Sequence, residues 1–212
     1  MDNTSKKIAE YLLQIKAIKL QPSNPFTWAS GWKSPIYCDN RKTLSFPEVR
    51  SFIRDSFAAV IREHYPDAEL IAGVATGAIA HGALVADKMQ MPFIYVRSEA
   101  KSHGLGNQIE GFFTKGQKTV VVEDLISTGG SSLSAVKALR DAGCDVLGMT
   151  AIFTYGFEKA AAGFKEENCE LYTLCDYSTL ISAALGSGYI GESEVETLKK
   201  WRTDPANWGT GK

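Results

Sequence analysis

Apolar residues along this chain first follow a helical period and later a strand-and-helix alternation. From 5 to 20, Ile8, Leu12, Ile15 and Leu20 recur near helical spacing among charged neighbours, which predicts an amphipathic N-terminal helix. The next stretch, "NPFTWASGWKSPIYCDNR", carries aromatic and β-branched residues on both sides of Ser30 and Gly31, and predicts two short strands joined by a turn. Ser45, Phe46, Pro47 and Glu48 have the S-x-x-E form of a capping box with proline in a first turn, so a helix is expected from about 47 to 64.

Beyond that point the pattern changes. "ELIAGVA" reads as a buried strand leading into a helix over "AIAHGALVADKM"; "PFIYVR" and "KTVVVED" are two further strands. "SSLSAVKALRDAG" predicts a helix stopped by Gly143, and "DVLGMTAIFTY" and "ELYTLCDY" add two more strands. Continuous apolar strands alternating with helices imply a parallel sheet covered on both faces. The expectation is an α/β protein: a single domain with a central, mainly parallel sheet flanked by helices. Residues 1–45 form a small N-terminal hood, 46–190 the core and 191–212 a helical tail.

Length and charge narrow this further. A chain of 212 residues holds one sizeable core and is short for two typical domains. A net charge of -1 leaves no basic excess for counterion release, which argues against a nucleic-acid binder. Cys38, Cys144, Cys169 and Cys175 form no CxxC pair and are expected to stay reduced. Charges interrupt the apolar N-terminal positions, so no signal peptide is predicted, and no apolar run is long enough for a bilayer. A soluble, cytoplasmic protein is expected.

The candidate chemistry lies in "KTVVVEDLISTGGSS", 118–132. Ligands of open parallel sheets bind beyond the carboxyl ends of the strands, and Glu123 and Asp124 stand at such an end. Gly129 and Gly130 allow a tight loop whose N–H groups surround an anion at the start of the next helix, with hydroxyls from Ser127, Thr128 and Ser131. It is not the common P-loop, because no Gly-Lys-Ser/Thr follows. A dinucleotide fingerprint fails too, since "GLGNQI" has Ile109 at the last glycine position. The acids would repel the phosphate itself. Sugar hydroxyls suit them, as does a bound Mg²⁺ with its water shell. A cup for a monophosphate beside acids for a diol is a site for a ribose 5-phosphate.

Two acids followed by this hydroxyl- and glycine-rich loop resemble the phosphoribosyl-diphosphate motif of type I phosphoribosyltransferases. Within that family, "FTWASGWKSPIYCDNR" is similar to the orotate-side segment of the orotate phosphoribosyltransferases, and "YVRSEAKSHGLGNQIEG" to their catalytic loop. The resemblance implies that Arg97, Lys101, His103, Glu123, Asp124, Leu125, Ile126, Ser127, Thr128, Gly129, Gly130 and Ser131 bind phosphoribosyl diphosphate. It makes Lys101, Asp124 and Glu123 the catalytic residues. It also implies a homodimer whose glycine-hinged lid, with Lys101 and His103, reaches the partner's site. On the nucleobase side it points to Tyr37, Cys38 and Ser127, and Arg41 is our candidate partner for the orotate carboxylate. Three lysines common in the family are replaced here by Ala29, Thr76 and Ser98, so Lys101 and Mg²⁺ are expected to carry more of the diphosphate charge. The loop "GVATGAIAHG" reads equally as diphosphate N–H donors around Gly77 or as close helix–strand packing, and His81 as structural.

The reaction implied is Mg²⁺-dependent transfer of 5-phosphoribose to orotate, with orotate and phosphoribosyl diphosphate as the partners and no membrane. A purine phosphoribosyltransferase would use the same cup and differ only in its nucleobase segment. A ligand-sensing, nucleic-acid-binding regulator on this fold would need a basic face or an added domain.

Overall fold

Val120, Val121 and Val122 are all fully buried, as a strand covered on both faces requires. They lie in β8 (Lys118–Ile126), the middle of a six-stranded sheet. The computed structural model describes residues 3–28, 30–97 and 108–209. The sheet order is β10 (Glu170–Asp176), β9 (Asp145–Thr154), β8, β5 (Leu70–Val74), β6 (Phe93–Val96) and β7 (Ile109–Glu110). All pairings are parallel except that of β6 with the edge strand β7.

Alternate side chains of the sheet feed two cores. Ile71, Val120, Val122 and Ile152 pack with α1 (Asn3–Gln14), α2 (Pro47–His64) and α3 (Ile79–Met89) through Leu12, Phe57 and Val85. Leu70, Ala72, Val121 and Met149 pack on the other face with α4 (Gly130–Asp141) and α5 (Glu158–Glu166) through Val136, Leu139 and Phe164. The helices α6 (Tyr177–Gly186) and α7 (Glu192–Thr203) extend the first core, where Trp201 is fully buried. Among the described residues, no helix is long and apolar enough to cross a membrane.

Two expectations for the N-terminal part are corrected. The first helix stops at Gln14, and Lys16 turns the chain with φ 54°. Ile18 and Leu20 then follow a period of two in β1 (Ile18–Leu20), which pairs antiparallel with β4 (Ile36–Cys38). Ladder pairing with a buried partner overrides the helical spacing of Leu20. Ser45 does not cap α2 either: it ends a 3₁₀ turn, Asn40–Ser45, and Phe46 occupies the cap without a side-chain bond. Glu48 instead accepts a 2.6 Å hydrogen bond from the Tyr11 hydroxyl, tying α2 to α1. The hairpin around Gly31 is as expected, with β2 (Phe26–Thr27) and β3 (Lys33–Ser34) paired and Gly31 at φ +85°.

His81 is a structural contact between α3 and the hood. The Thr43 hydroxyl gives its one proton to the Asn40 carbonyl at 2.6 Å. At 3.2 Å from His81 Nε2, it is therefore the acceptor, and the ring carries its proton on Nε2. Burial pushes the His81 pKa down from 6.5 to about 4. A depressed histidine binds fewer protons folded than unfolded, so its share of stability is full above pH 6.5 and is lost as pH falls toward 4. His81→Gln keeps a donor near the Nε2 position and removes the titration. From pH 7 to pH 4, urea unfolding should show wild type losing roughly 3 kcal/mol relative to this variant. Equal pH slopes for the two proteins would contradict the assignment.

Candidate active site

Pairing of β8 with β5 ends at Val122, opposite Gly73, whereas pairing with β9 continues to Ile126, opposite Thr154. The carboxyl end of the sheet therefore opens between β5 and β8. Glu123 and Asp124 sit inside β8 but at this one-sided exit. The chain leaving β5 passes through Ala75, Thr76 and Gly77, with a cis bond between Ala75 and Thr76. A Cβ on Gly77 would run into the Asp124 carboxylate, so only glycine lets this loop lie against the acid. The cleft so formed has about 390 Å³, within the range of small-ligand sites.

Both acids border the cleft and their carboxyl groups touch each other. Glu123 is buried; its Oε2 accepts from Ser132 Oγ and its Oε1 from the Asp124 N–H, both at 2.9 Å. Burial first, and the neighbouring Asp124 charge second, raise its pKa well above the ordinary carboxylate value. Burial also raises Asp124, opposed chiefly by the contact with Glu123 and by the Arg41 charge. The pair titrates as a unit, at higher pH than free carboxylates.

The anion cup follows directly. Gly129, with φ +83°, turns the strand into α4, and its own C=O accepts the Leu133 N–H at 2.9 Å. The preceding N–H groups at the start of α4 lack helical partners and suit a bound anion. Ser127, Thr128, Gly129 and Ser131 line the cleft together with Glu123, Asp124 and Leu125. Ile126 is buried within β8, and Gly130 opens α4.

The remaining predicted site residues separate. Cys38 and Arg41 reach the cleft from the hood, where Arg41 Nε donates to Asp39 Oδ1 at 2.7 Å. Tyr37 stands outside the lining, exposed on β4, with its ring 5.5 Å from that of Phe26. Arg97 Nη1 lies 3.6 Å from Glu110 Oε1, and reciprocal bonds between Arg97 and Gln108 close the base of the loop they flank. Lys101 and His103 lie outside the described residues. Trp28 packs in the core against Tyr155 and Trp201. Trp32 borders a second groove of about 830 Å³ that meets the cleft at Thr128. There the stretch after β9 receives Arg202 from α7, whose guanidinium donates to the Tyr155 and Gly156 carbonyls at 3.1 Å each.

Three residues of the site had escaped the sequence reading: Asn40, Gly77 as the seat of Asp124, and Ser132 as the partner of Glu123. Ser132 was within reach, since it follows "STGGS" directly, but which of two adjacent serines faces the acid depends on the helix phase.

The comparisons agree with this geometry. Residues 47–176 match the model of the phosphoribosyl transferase domain. The chain is 58% identical, over 212 residues and the whole of both chains, to an orotate phosphoribosyltransferase of Bacteroides fragilis. The structure is similar to that of orotate phosphoribosyltransferase from Aeropyrum pernix (TM-score 0.76, 28% identity, 87% of this chain and 99% of that one). It is also similar to UMP synthase of Leishmania donovani, with TM-score 0.81, 26% identity and coverage of 94% of this chain and 42% of the other. With its acid pair, glycine-turned cup and hood around one cleft, the chain belongs to the phosphoribosyl transferase family, among the orotate phosphoribosyltransferases.

Proposed function

We propose that the chain transfers 5-phosphoribose from 5-phospho-α-D-ribose 1-diphosphate to orotate, giving orotidine 5'-monophosphate and pyrophosphate in pyrimidine nucleotide synthesis. The observation that carries this is one cleft in which an anion cup, the buried Glu123 and the half-buried Asp124 stand side by side. The cup, from Ser127 to Ser131, takes the 5-phosphate. Asp124, and secondarily Glu123, hold the ribose hydroxyls.

Cleavage of the anomeric C–O bond leaves positive charge on the ribose ring and an electron pair on the departing pyrophosphate, while the orotate nitrogen forms the new bond. A carboxylate beside the ring stabilises the first charge. Cationic side chains stabilise the second, a role we assign to Arg97, Lys101 and His103. Such preorganised contacts are worth on the order of 10²–10³ in rate each. Among the described residues, no three His, Cys, Asp or Glu side chains are grouped so as to hold a metal ion. Mg²⁺ would be held mainly by the diphosphate and its water shell, with the acids nearby, and would supply charge neutralisation of the leaving group. We place orotate on the hood side, against Cys38 and Ser127 with Arg41 facing its carboxylate, and with Tyr37 beyond the cleft lining. The active form is a homodimer whose loop residues serve the partner's site.

A nucleobase panel with phosphoribosyl diphosphate and Mg²⁺, read as pyrophosphate release, should show turnover of orotate and none of adenine, guanine or uracil. Preferential turnover of a purine would overturn the orotate assignment and leave the transfer chemistry standing.

The pH dependence follows from the acid pair. The ionised form is the active one, so kcat should fall as pH drops through its raised titration. The Ser132 hydroxyl favours ionised Glu123, and Ser132→Ala should move that acidic limb to higher pH. A limb unmoved or shifted to lower pH would count against the pair as the titrating group.

Lys101→Ala and Asp124→Asn are each expected to be nearly inactive. Unfolded and refolded together in equal amounts, they should recover about a quarter of wild-type activity, because about half the dimers are mixed and each holds one intact site. No recovery, with chain exchange confirmed independently, would show that the loop serves its own chain.

A further inference from the structure

We infer that Asn40 is a positioning residue that fixes Asp124 through its main chain. Because β5 pairs with β8 only as far as Gly73, opposite Val122, Asp124 has no strand neighbour on that side. Side chains replace the missing ladder. Glu123 Oε1 accepts the Asp124 N–H at 2.9 Å, and Asn40 Nδ2 donates to the Asp124 carbonyl at 2.6 Å. Asn40 and Asp124 are 84 positions apart in sequence.

The amide is held from every direction the contact requires. Asn40 is 1% exposed. Its Oδ1 accepts from the Cys38 thiol at 3.3 Å, which leaves Nδ2 as the group aimed at Asp124. Its own carbonyl accepts from the Thr43 hydroxyl at 2.6 Å, and Thr43 in turn meets His81 of α3. The 3₁₀ turn that begins at Asn40 is thereby tied to β8 through Asn40 and to α3 through Thr43, on the strand whose Asp124 lies against Gly77. A buried amide spent on a carbonyl that a strand would otherwise serve adds no charge to the cleft. Its effect is to hold the acid where the reaction needs it.

The inference rests on the role proposed above for Asp124, and a double-variant cycle tests the two separately. Asn40→Ala should lower kcat about 10- to 100-fold, as expected for a displacement on the order of 1 Å. KM for phosphoribosyl diphosphate should stay within about threefold, since the cup is untouched. In the Asp124→Asn background, the same substitution should cost less than about twofold further, because the group it positions is already disabled. A double variant in which the two losses multiply would overturn the inference alone, as would an unchanged kcat in Asn40→Ala. Full kcat in Asp124→Asn by itself would overturn instead the reading of the acid on which it rests. Where Asn40→Ala does not fold, Asn40→Ser enters the same cycle with a hydroxyl too short to reach the carbonyl. Failure of both to fold makes Asn40 a folding residue and overturns the positioning role.

Discussion

Two adjacent carboxylates at one strand end, Glu123 buried and Asp124 half-buried, repel each other and lose hydration, and much of the surrounding structure answers that cost. Each acid is treated differently. Glu123 turns toward α4 and takes the Ser132 hydroxyl and a main-chain N–H. Asp124 turns toward the cleft, with the Arg41 charge near and a glycine beneath its carboxylate. Hydrogen bonds to the ionised form offset part of the desolvation, and the remainder keeps the pair above the usual titration range. Carboxylates raised in this way inside a cleft mark it as a candidate functional site.

The opening in the sheet has the same origin. A parallel sheet that kept β5 and β8 paired to their ends would leave no room beside Asp124. Parting them after Gly73 and Val122 creates the cleft but strips β8 of hydrogen-bond partners on that side. Loop Ala75–Gly77 fills part of the gap and the hood fills the rest through Asn40. The hood in turn leans on α3 through Thr43 and the neutral His81. Lining of the cleft and support of β8 therefore come from the same N-terminal segment.

The alternation of apolar runs in "ELIAGVA", "KTVVVED" and "DVLGMTAIFTY" was enough to determine a parallel sheet between helices, because a strand buried on both faces admits no other composition. The acid pair, the hydroxyls and Gly129 were equally legible: they are contiguous, and their chemistry is local to one strand–loop–helix turn. The family resemblance rested on that turn and on two further contiguous stretches, 26–41 and 95–111. What one-dimensional spacing could not decide was anything that depends on a partner far along the chain. The N-terminal helix was read too long because Leu20 fits two periods, and only its pairing with Ile36 in a ladder distinguishes them. Glu48 was spent on Tyr11 rather than on a cap. Asn40 carries no local signal of its role, which lies in its bond to Asp124, 84 positions away, and Arg202 of α7 likewise reaches the Tyr155 carbonyl from far along the chain. Local composition determined the elements and the kind of chemistry. The tertiary structure alone decided which groups orient the acids, because hydrogen bonds and burial act through distance in space and are blind to separation in sequence.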